Sequence, residues 1–428
     1  MRTPTRTVTT LGWFVGALVF LLSVAKPAIA AEHVTTPCFV SSASTCTLYS
    51  VISASKDDEI VWKIYELNGA LRVTIKPYPD VTGGMVVAEG DIDGDGDVEW
   101  ITAPETGGAP IKTWSPLGEL EAQFGVAPSH PSIAIGNFNS DSDDEIAITS
   151  RTSRNTISVY NYYISDAARR FARERVFTPS TPGERKGLEI AAGDIDNDGQ
   201  DDIVAVSANG KGPQFGYGTV TVFGHTSEGL WGEIASRQVG EGYRMRVGNV
   251  TGDDADEIVL VQRGNGTPQH VFLYQWDATQ TSKLTELTSF AARVRPWSFV
   301  STRGTDIELG DLTGDDHLEI ITYPNRYPRG PVVVWQYTDV IRAIAHINTM
   351  GPQSNGINLI ARNAAPDKDT RYHAFHDELI VASKGGSQPT VKIFRYLPHT
   401  VKGLEFVRSY TAFHPSYRGE VRLNSPTD

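Results

Sequence analysis

Five times along this chain a nine-residue acidic segment separates two apolar runs. The copies begin at Asp91 (DIDGDGDVE), Asn137 (NFNSDSDDE), Asp194 (DIDNDGQDD), Asn249 (NVTGDDADE) and Asp311 (DLTGDDHLE). Each copy carries an oxygen-bearing side chain at positions 1, 3, 5 and 9 and an apolar one at position 2. A glycine stands directly before each copy: Gly90, Gly136, Gly193, Gly248 and Gly310. The position-2 residue can enter a core while its neighbours stay outside. Alternating oxygens in a tight loop converge on one centre, which suits a hard cation such as Ca2+ with roughly six to eight oxygen ligands. Five copies of one unit also mean that the fold has to be read from the repeat, since such units bury their apolar faces on one another.

The repeat is longer than the acidic loop. Ile52 to Gly69 (ISASKDDEIVWKIYELNG) aligns without gaps with Ile101 to Gly118 (ITAPETGGAPIKTWSPLG), and Ile380 to Phe394 (IVASKGGSQPTVKIF) has the same form. Four further copies lie between them, which makes seven hairpins of β-branched strand, Gly/Pro/Ser-rich turn and second β-branched strand. A short apolar run precedes each acidic loop, such as Met85 to Ala88, and another follows the hairpin, such as Leu120 to Phe124. Four strands per unit predict an all-β fold, a seven-bladed β-propeller of four-stranded blades. Two units lack the acidic loop. In the first, the equivalent position falls between Cys38 and Cys46; in the seventh, Ala361 to His376 is longer and irregular. Near the C-terminus, Phe413 to Leu423 is similar to Lys76 to Ala88, so Glu420 to Leu423 is expected to supply the inner strand of blade one and close the ring. Closure removes the open sheet edges that invite aggregation.

Two segments have helix-like spacing and are read as short insertions: Asp166 to Arg175 (DAARRFARER) and Asp339 to Met350 (DVIRAIAHINTM). Residues 1–30 read as a secretory signal peptide, with Arg2 and Arg6, an apolar run from Leu11 to Ala25 and the small-x-small site Ala28-Ile29-Ala30. Residues 31–428 then form a single propeller domain, exported to the extracellular space or to the periplasm of a Gram-negative cell, with a monomer expected. No later stretch is long and apolar enough to span a bilayer. Without Arg2, Arg6 and Lys26 the net charge moves from −13 to −16. The five loops hold 22 of the 51 Asp and Glu residues, so the acidity is concentrated where cations would cancel it. No basic stripe exists to neutralise phosphates, which argues against a nucleic-acid partner.

The residues at this point resemble the FG-GAP repeat family, with its bacterial VCBS-type relatives and the propeller head of integrin α chains. The similarity runs over about residues 46 to 423, on the repeated strand–Gly–acidic loop–strand pattern. The family's Gly-Ala-Pro after the loop is here Thr102-Ala103-Pro104, so its glycine is missing. The resemblance implies a β-propeller with Ca2+ in the acidic loops. The implied ligands are Asp91, Asp93, Asp95 and Glu99; Asn137, Asn139, Asp141 and Glu145; Asp194, Asp196, Asp198 and Asp202; Asn249, Thr251, Asp253 and Glu257; and Asp311, Thr313, Asp315 and Glu319. Position 7 (Asp97, Asp143, Gln200, Ala255, His317) would give only a backbone carbonyl. The loops at Asp91 and Asp194 have carboxylates at all four side-chain positions, while the other three substitute Asn or Thr.

Motifs for catalysis are weak by comparison. His373, His376 and Asp377 lie close in sequence but lack a helical setting and a third ligand at a recognisable spacing. No Gly-x-Ser-x-Gly elbow or phosphate-cradling loop is present. Trp62, Trp114, Trp231, Trp276, Trp297 and Trp335 are spread over the repeats and read as blade-to-blade packing. The expected function is a secreted, Ca2+-binding, non-catalytic binding or adhesion module for a protein or a glycan. The alternative is a polysaccharide lyase or glycoside hydrolase, which requires an acid/base pair at the central channel.

Cys38 and Cys46 are the only cysteines, and in an exported chain a lone pair at short spacing is expected to form a disulfide. Its contribution would be on the order of 2–3 kcal/mol for so short a loop. Mass spectrometry of the non-reduced, exported protein should find no alkylatable thiol; two modified cysteines would refute the pairing.

Overall fold

The computed structural model describes residues 48–66, 69–139, 141–153, 156–165, 168–179, 187–208, 218–226, 228–239, 242–262, 269–292, 304–325, 330–350, 355–362, 377–398, 400 and 402–424. Residues 1–30, read as a signal peptide, and Cys38, Cys46, Trp297, His373 and His376 lie outside these residues. The described chain is all-β and forms a seven-bladed propeller.

Six of the blades are antiparallel sheets of four strands in sequence order from the channel outward; in blade 1 a two-residue strand, Thr82–Gly83, also pairs with Leu48–Glu59. Blade 2 comprises Met85–Gly90, Glu99–Pro104, Ile111–Trp114 and Leu120–Phe124. Blade 3 comprises Pro131–Gly136, Glu145–Ser150, Ile157–Ser165 and Ala168–Phe177, and blade 4 Leu188–Gly193, Asp202–Ser207, Gly218–His225 and Trp231–Val239. Blade 5 comprises Tyr243–Gly248, Glu257–Gln262, His270–Trp276 and Leu284–Ala291. Thr305–Gly310, Glu319–Pro324, Val332–Tyr337 and Ile341–Ile347 make blade 6; Ile357–Arg362, Glu378–Ser383, Thr390–Tyr396 and Leu404–Thr411 make blade 7. In blade 1, Leu48–Glu59, Trp62–Glu66 and Leu71–Ile75 take their inner strand from the far end of the chain. Glu420–Asn424 pairs antiparallel with Leu48–Glu59, Ala54 opposite Glu420 and Ser50 opposite Asn424. The C-terminal strand therefore closes the ring, as the repeat alignment implies.

The core is not inside the blades but between them. Seven apolar clusters occur, one at each blade interface. The second strand of a blade supplies both sides. In Glu145–Ser150, Ile146 and Ile148 join the cluster toward blade 2, while Ala147 joins the one toward blade 4. Burial on both faces explains why second strands read as continuous apolar runs such as Ile258 to Val261 rather than alternating ones. In all seven blades the pairing of third and fourth strands contains a register shift. A bulge there sharpens the twist of the outer edge.

Both expected helical insertions are strands. Ala168–Phe177 pairs along its length with Ile157–Ser165, and Ile341–Ile347 pairs with Val332–Tyr337. They are outer strands, half in solvent, and so carry Arg, Glu and Ala, residues of high helix propensity. The unpaired edge of the third strand overrides that weak preference, because strand preference depends mostly on packing context. Asp339, at φ 69°, makes the turn into the second of these strands. The tryptophans do pack across blades: Trp62 meets Trp114 at 5.6 Å, Trp231 meets Phe138 at 5.9 Å and Trp335 meets Phe290 at 4.8 Å.

Val421 is fully buried and Leu423 nearly so, in the cluster between blades 7 and 1. A chain ending at Ala412 loses both, about 1.5–3 kcal/mol each, and exposes the inner edge of blade 1. Set against a net stability of about 5–15 kcal/mol, this should give aggregation or a broad, non-cooperative melt. Calorimetry and light scattering test it; a monomeric truncation that melts like the full chain would overturn the closure.

Candidate metal centres and a charged collar in the channel

Each acidic loop joins the inner strand of its blade to the second. The loop at Asp91 shows how the nine residues fold. The Asp91 carboxylate accepts from the backbone N–H groups of Asp95 (3.1 Å) and Gly96 (2.9 Å), and Asp95 accepts from Asp97 N (2.9 Å). Gly94 and Gly96 take positive φ, which lets the chain turn this tightly. Ile92 at position 2 is buried, as are Phe138, Ile195, Val250 and Leu312 in the other loops. The carboxylate at position 9 opens the second strand and accepts from the position-2 N–H in every copy, at 2.8–3.2 Å. Position 9 is therefore buried: Glu99, Glu145, Asp202, Glu257 and Glu319 are all at most 3% exposed.

The five loops treat that buried charge in two ways. In two of them positions 1, 3 and 9 gather three carboxylates. Oxygens of Asp91, Asp93 and Glu99 lie within 4.8 Å of one another, and so do those of Asp194, Asp196 and Asp202. Asp196 Oδ1 is buried without a hydrogen-bond partner. Burial, then repulsion from Asp196, pushes Asp202 up to about 9. Burial, then repulsion from Asp93, pushes Glu99 up to about 8. A hard divalent cation would supply counter-charge to both triplets and a partner to Asp196 Oδ1, so both loops fit the ion. Asp95 and Asp198 stand outside these triplets.

In the other three loops a neutral donor at position 3 meets the buried carboxylate. Asn139 Nδ2 donates to Glu145 Oε1 (2.6 Å), and the hydroxyls of Thr251 and Thr313 donate to Glu257 and Glu319 (3.0 Å each). Asn137 turns its amide onto the carbonyl of Asp141 (2.5 Å), and Asn249 does the same to Asp253. These loops close on their own hydrogen bonds.

Position 8 carries a role that its spacing alone did not reveal. Asp144 of blade 3 accepts from Asp91 N of blade 2 (3.0 Å), and its own N–H donates to Asp91 O (2.8 Å). Asp201 makes the same pair with Asn137, Asp256 with Asp194 and Asp377 with Asp311. Leu318 keeps only the backbone bond, to Asn249 O. The glycine before each loop leaves room for the next blade: a Cβ would meet Ile135 at Gly90 (2.2 Å), Leu318 at Gly248 (2.5 Å) and Ala361 at Gly310 (2.2 Å). A Cβ at Gly136 would sit 2.6 Å from Asp201 Oδ2, and one at Gly193 2.4 Å from Asp256 Oδ2. The signal in the sequence was Asp at position 8 of three loops, and Asp377 in the seventh unit. Asp377 is thus a blade-to-blade link.

At the opposite end of the channel stands a different kind of charge cluster. Inner strands begin there and second strands end there. Glu189, Arg244, Asp306 and Asn358 are the second residues of their inner strands; Glu105, Arg151, Asn325 and Lys384 directly follow second strands. Arg244 lies 3.0 Å from Glu189 and 3.4 Å from Asp306, and Arg151 lies 3.9 Å from Glu189. Asn325 bridges Asp306 to Lys384, whose Nζ donates to Asn325 Oδ1 (2.7 Å). Lys384 also faces Glu420 (3.6 Å), Glu420 faces Arg422 (3.3 Å), and Arg422 pairs with Glu105. Deeper in, Arg246 grips Glu308 with two parallel bonds of 3.0 and 2.9 Å. Burial raises Glu420, but Arg422 and Lys384 outweigh it and leave its carboxyl below the ordinary value. All of these residues except Asn325 line a cavity of about 230 Å3 in the central channel.

No protein-family model matches the sequence, and no curated protein matches it. Among solved structures, a putative 6-phosphogluconolactonase from Bacteroides uniformis is similar over 89% of this chain and 100% of its own, at 15% identity and a TM-score of 0.53. A second, from Bacteroides fragilis, covers 90% of this chain and 99% of its own, at 13% identity and a TM-score of 0.54. The likeness is one of fold.

The two kinds of loop should separate by calorimetric Ca2+ titration. Asp93→Ala and Asp196→Ala should each remove one bound ion. Thr251→Ala should leave the stoichiometry unchanged and cost about 1 kcal/mol of stability for the lost hydrogen bond; equal loss of ions in all three would overturn the distinction. A pH dependence follows as well. Between the unfolded carboxylate range near 4 and the raised values of Glu99 and Asp202, the metal-free fold holds protons that the unfolded chain has released. Its stability therefore falls as pH rises through that window. Melting temperatures in EDTA should decline from about pH 5 to 8, and the decline should be shallower in Ca2+. Parallel curves would sink the prediction.

Proposed function

We propose that this chain is an exported propeller braced by Ca2+ that acts as a non-catalytic binding module for a protein or a glycan. The observation that carries the reading is the pairing of the channel carboxylates. Glu105, Glu189, Asp306, Glu308 and Glu420 each face an Arg or Lys side chain within 3.9 Å. Glycoside hydrolysis by paired carboxyls needs one held protonated near neutral pH. Cationic neighbours do the reverse, and Glu420 is drawn downward. The carboxyls that are pushed up belong to the acidic loops, at the other end of the blades. Their three-carboxylate clusters support Ca2+ as a brace. Export rests on the first 30 residues of the sequence alone.

Two measurements test this reading. Saturating Ca2+ adds about 2.7 kcal/mol per site at a hundredfold excess over Kd, so the melting temperature should be clearly higher in millimolar Ca2+ than in EDTA. An unchanged melting temperature would remove the brace. Glycan and protein arrays probed with the Ca2+-loaded mature protein should give a saturable partner. Turnover of a polysaccharide without retained binding would favour the lyase or hydrolase alternative.

A further inference from the structure

The charges at the channel mouth alternate in sign. Followed around the ring from blade 2, they are Glu105, Arg151, Glu189, Arg244, Asp306, Lys384, Glu420 and Arg422, and Arg422 returns to Glu105. Every blade contributes one or more lining residues to the cavity they enclose. One group in it holds hydrogen-bonding capacity that the described residues leave unused. The Tyr323 side chain is 6% exposed and lines the cavity, and its hydroxyl makes no hydrogen bond among the described residues. Buried polar groups are nearly always partnered, by ordered water or a ligand where the protein supplies nothing.

The collar selects by exclusion. An ion of either sign meets as many like charges as opposite ones, so its Coulomb gains cancel while its hydration is lost. An apolar molecule strips water from eight charges and returns nothing. A neutral molecule that both donates and accepts on several sides suits it, because each hydroxyl does both and the wall alternates donors with acceptors. A ring of seven blades walls the site laterally, so it takes the end of a chain and not its middle. We infer that the channel mouth binds the terminal residue of an uncharged saccharide, with the Tyr323 hydroxyl donating to it and the collar carboxylates accepting from it. The inference rests on the reading of the chain as a binding module and gives that module a site.

The test uses the Ca2+-loaded mature protein and a panel of neutral hexoses, pentoses and deoxyhexoses, with one uronic acid and one amino sugar, followed by saturation-transfer NMR and calorimetry. At least one neutral sugar should bind at one per chain, and the charged sugars about tenfold more weakly or less. Tyr323→Phe keeps the ring and should weaken binding about five- to tenfold at an unchanged melting temperature. Arg244→Lys, which keeps the charge but not the fork that holds Glu189 and Asp306, should weaken it as well. The site is refuted if no neutral sugar saturates, if charged sugars bind as tightly, or if Tyr323→Phe binds like the parent. Array capture that Tyr323→Phe leaves intact would remove the channel site and keep the module; no capture by either route would remove both.

Discussion

Strand pairing holds each blade together, but the blades of a propeller share no ladder, so something directional must set the angle between them. Apolar packing at the seven interfaces supplies most of the burial and little direction. The directional part is the exchange between position 1 of one acidic loop and position 8 of the next blade. It runs from blade 2 through blade 7 and stops on both sides of blade 1, where the chain ends meet. Aromatic contacts take over there. Tyr49 and Tyr65 pack with Tyr410 between blades 7 and 1, and Trp62 lies 5.8 Å from Trp100 and 5.6 Å from Trp114 between blades 1 and 2. Position 8 of blade 2 is Val98, 41% exposed, where three other loops place the linking aspartate.

This division explains what could be read from the residues alone. Loop, hairpin and closing strand recur with enough identity to count seven units, because burial on both faces restricts second strands to short β-branched runs. Outer strands escape that restriction. Arg169 to Arg175 and Ile341 to His346 satisfy helical spacing only because solvent imposes no pattern on them, and they pair as strands. The glycines before the loops were visible as a rule without a cause; none of Gly90, Gly136, Gly193, Gly248 and Gly310 takes a positive φ, so the cause is space and not conformation. The collar was invisible for another reason. Glu105, Arg244 and Arg422 are separated by well over a hundred residues each, and no local spacing joins them.

Charge is arranged oppositely at the two ends of the blades. At the loop end, carboxylates crowd each other and are pushed upward by burial and mutual repulsion, as Asp202 and Glu99 are. At the channel mouth, each carboxylate has a cation beside it. The net charge of −13 is therefore not a general acidity but a local surplus at the loops. Two loops concentrate it further, since position 3 in the other three gives a neutral donor in place of a third carboxylate. One atom type at one position decides whether a loop gathers three carboxylates or meets its buried carboxylate with a neutral donor.

That choice reaches beyond the loop. Asp91 and Asp194 are the position-1 residues of the two loops with carboxylate triplets, and their backbones form the links to Asp144 and Asp256. The carboxylate that would hold the ion and the peptide that holds the next blade thus belong to one residue. Freedom in the first loosens the second, because a side chain anchored at its oxygens fixes its own backbone. An ion at these sites would stiffen the interfaces of blades 2 with 3 and 4 with 5, not merely the loops themselves. The other three loops reach the same end through Asn137, Asn249 and Asp311, whose side chains are held by hydrogen bonds from within the loop or to it. In all five loops, then, hydrogen bonds hold the residue on which the neighbouring blade hangs, and an ion at the two carboxylate triplets would add to that hold.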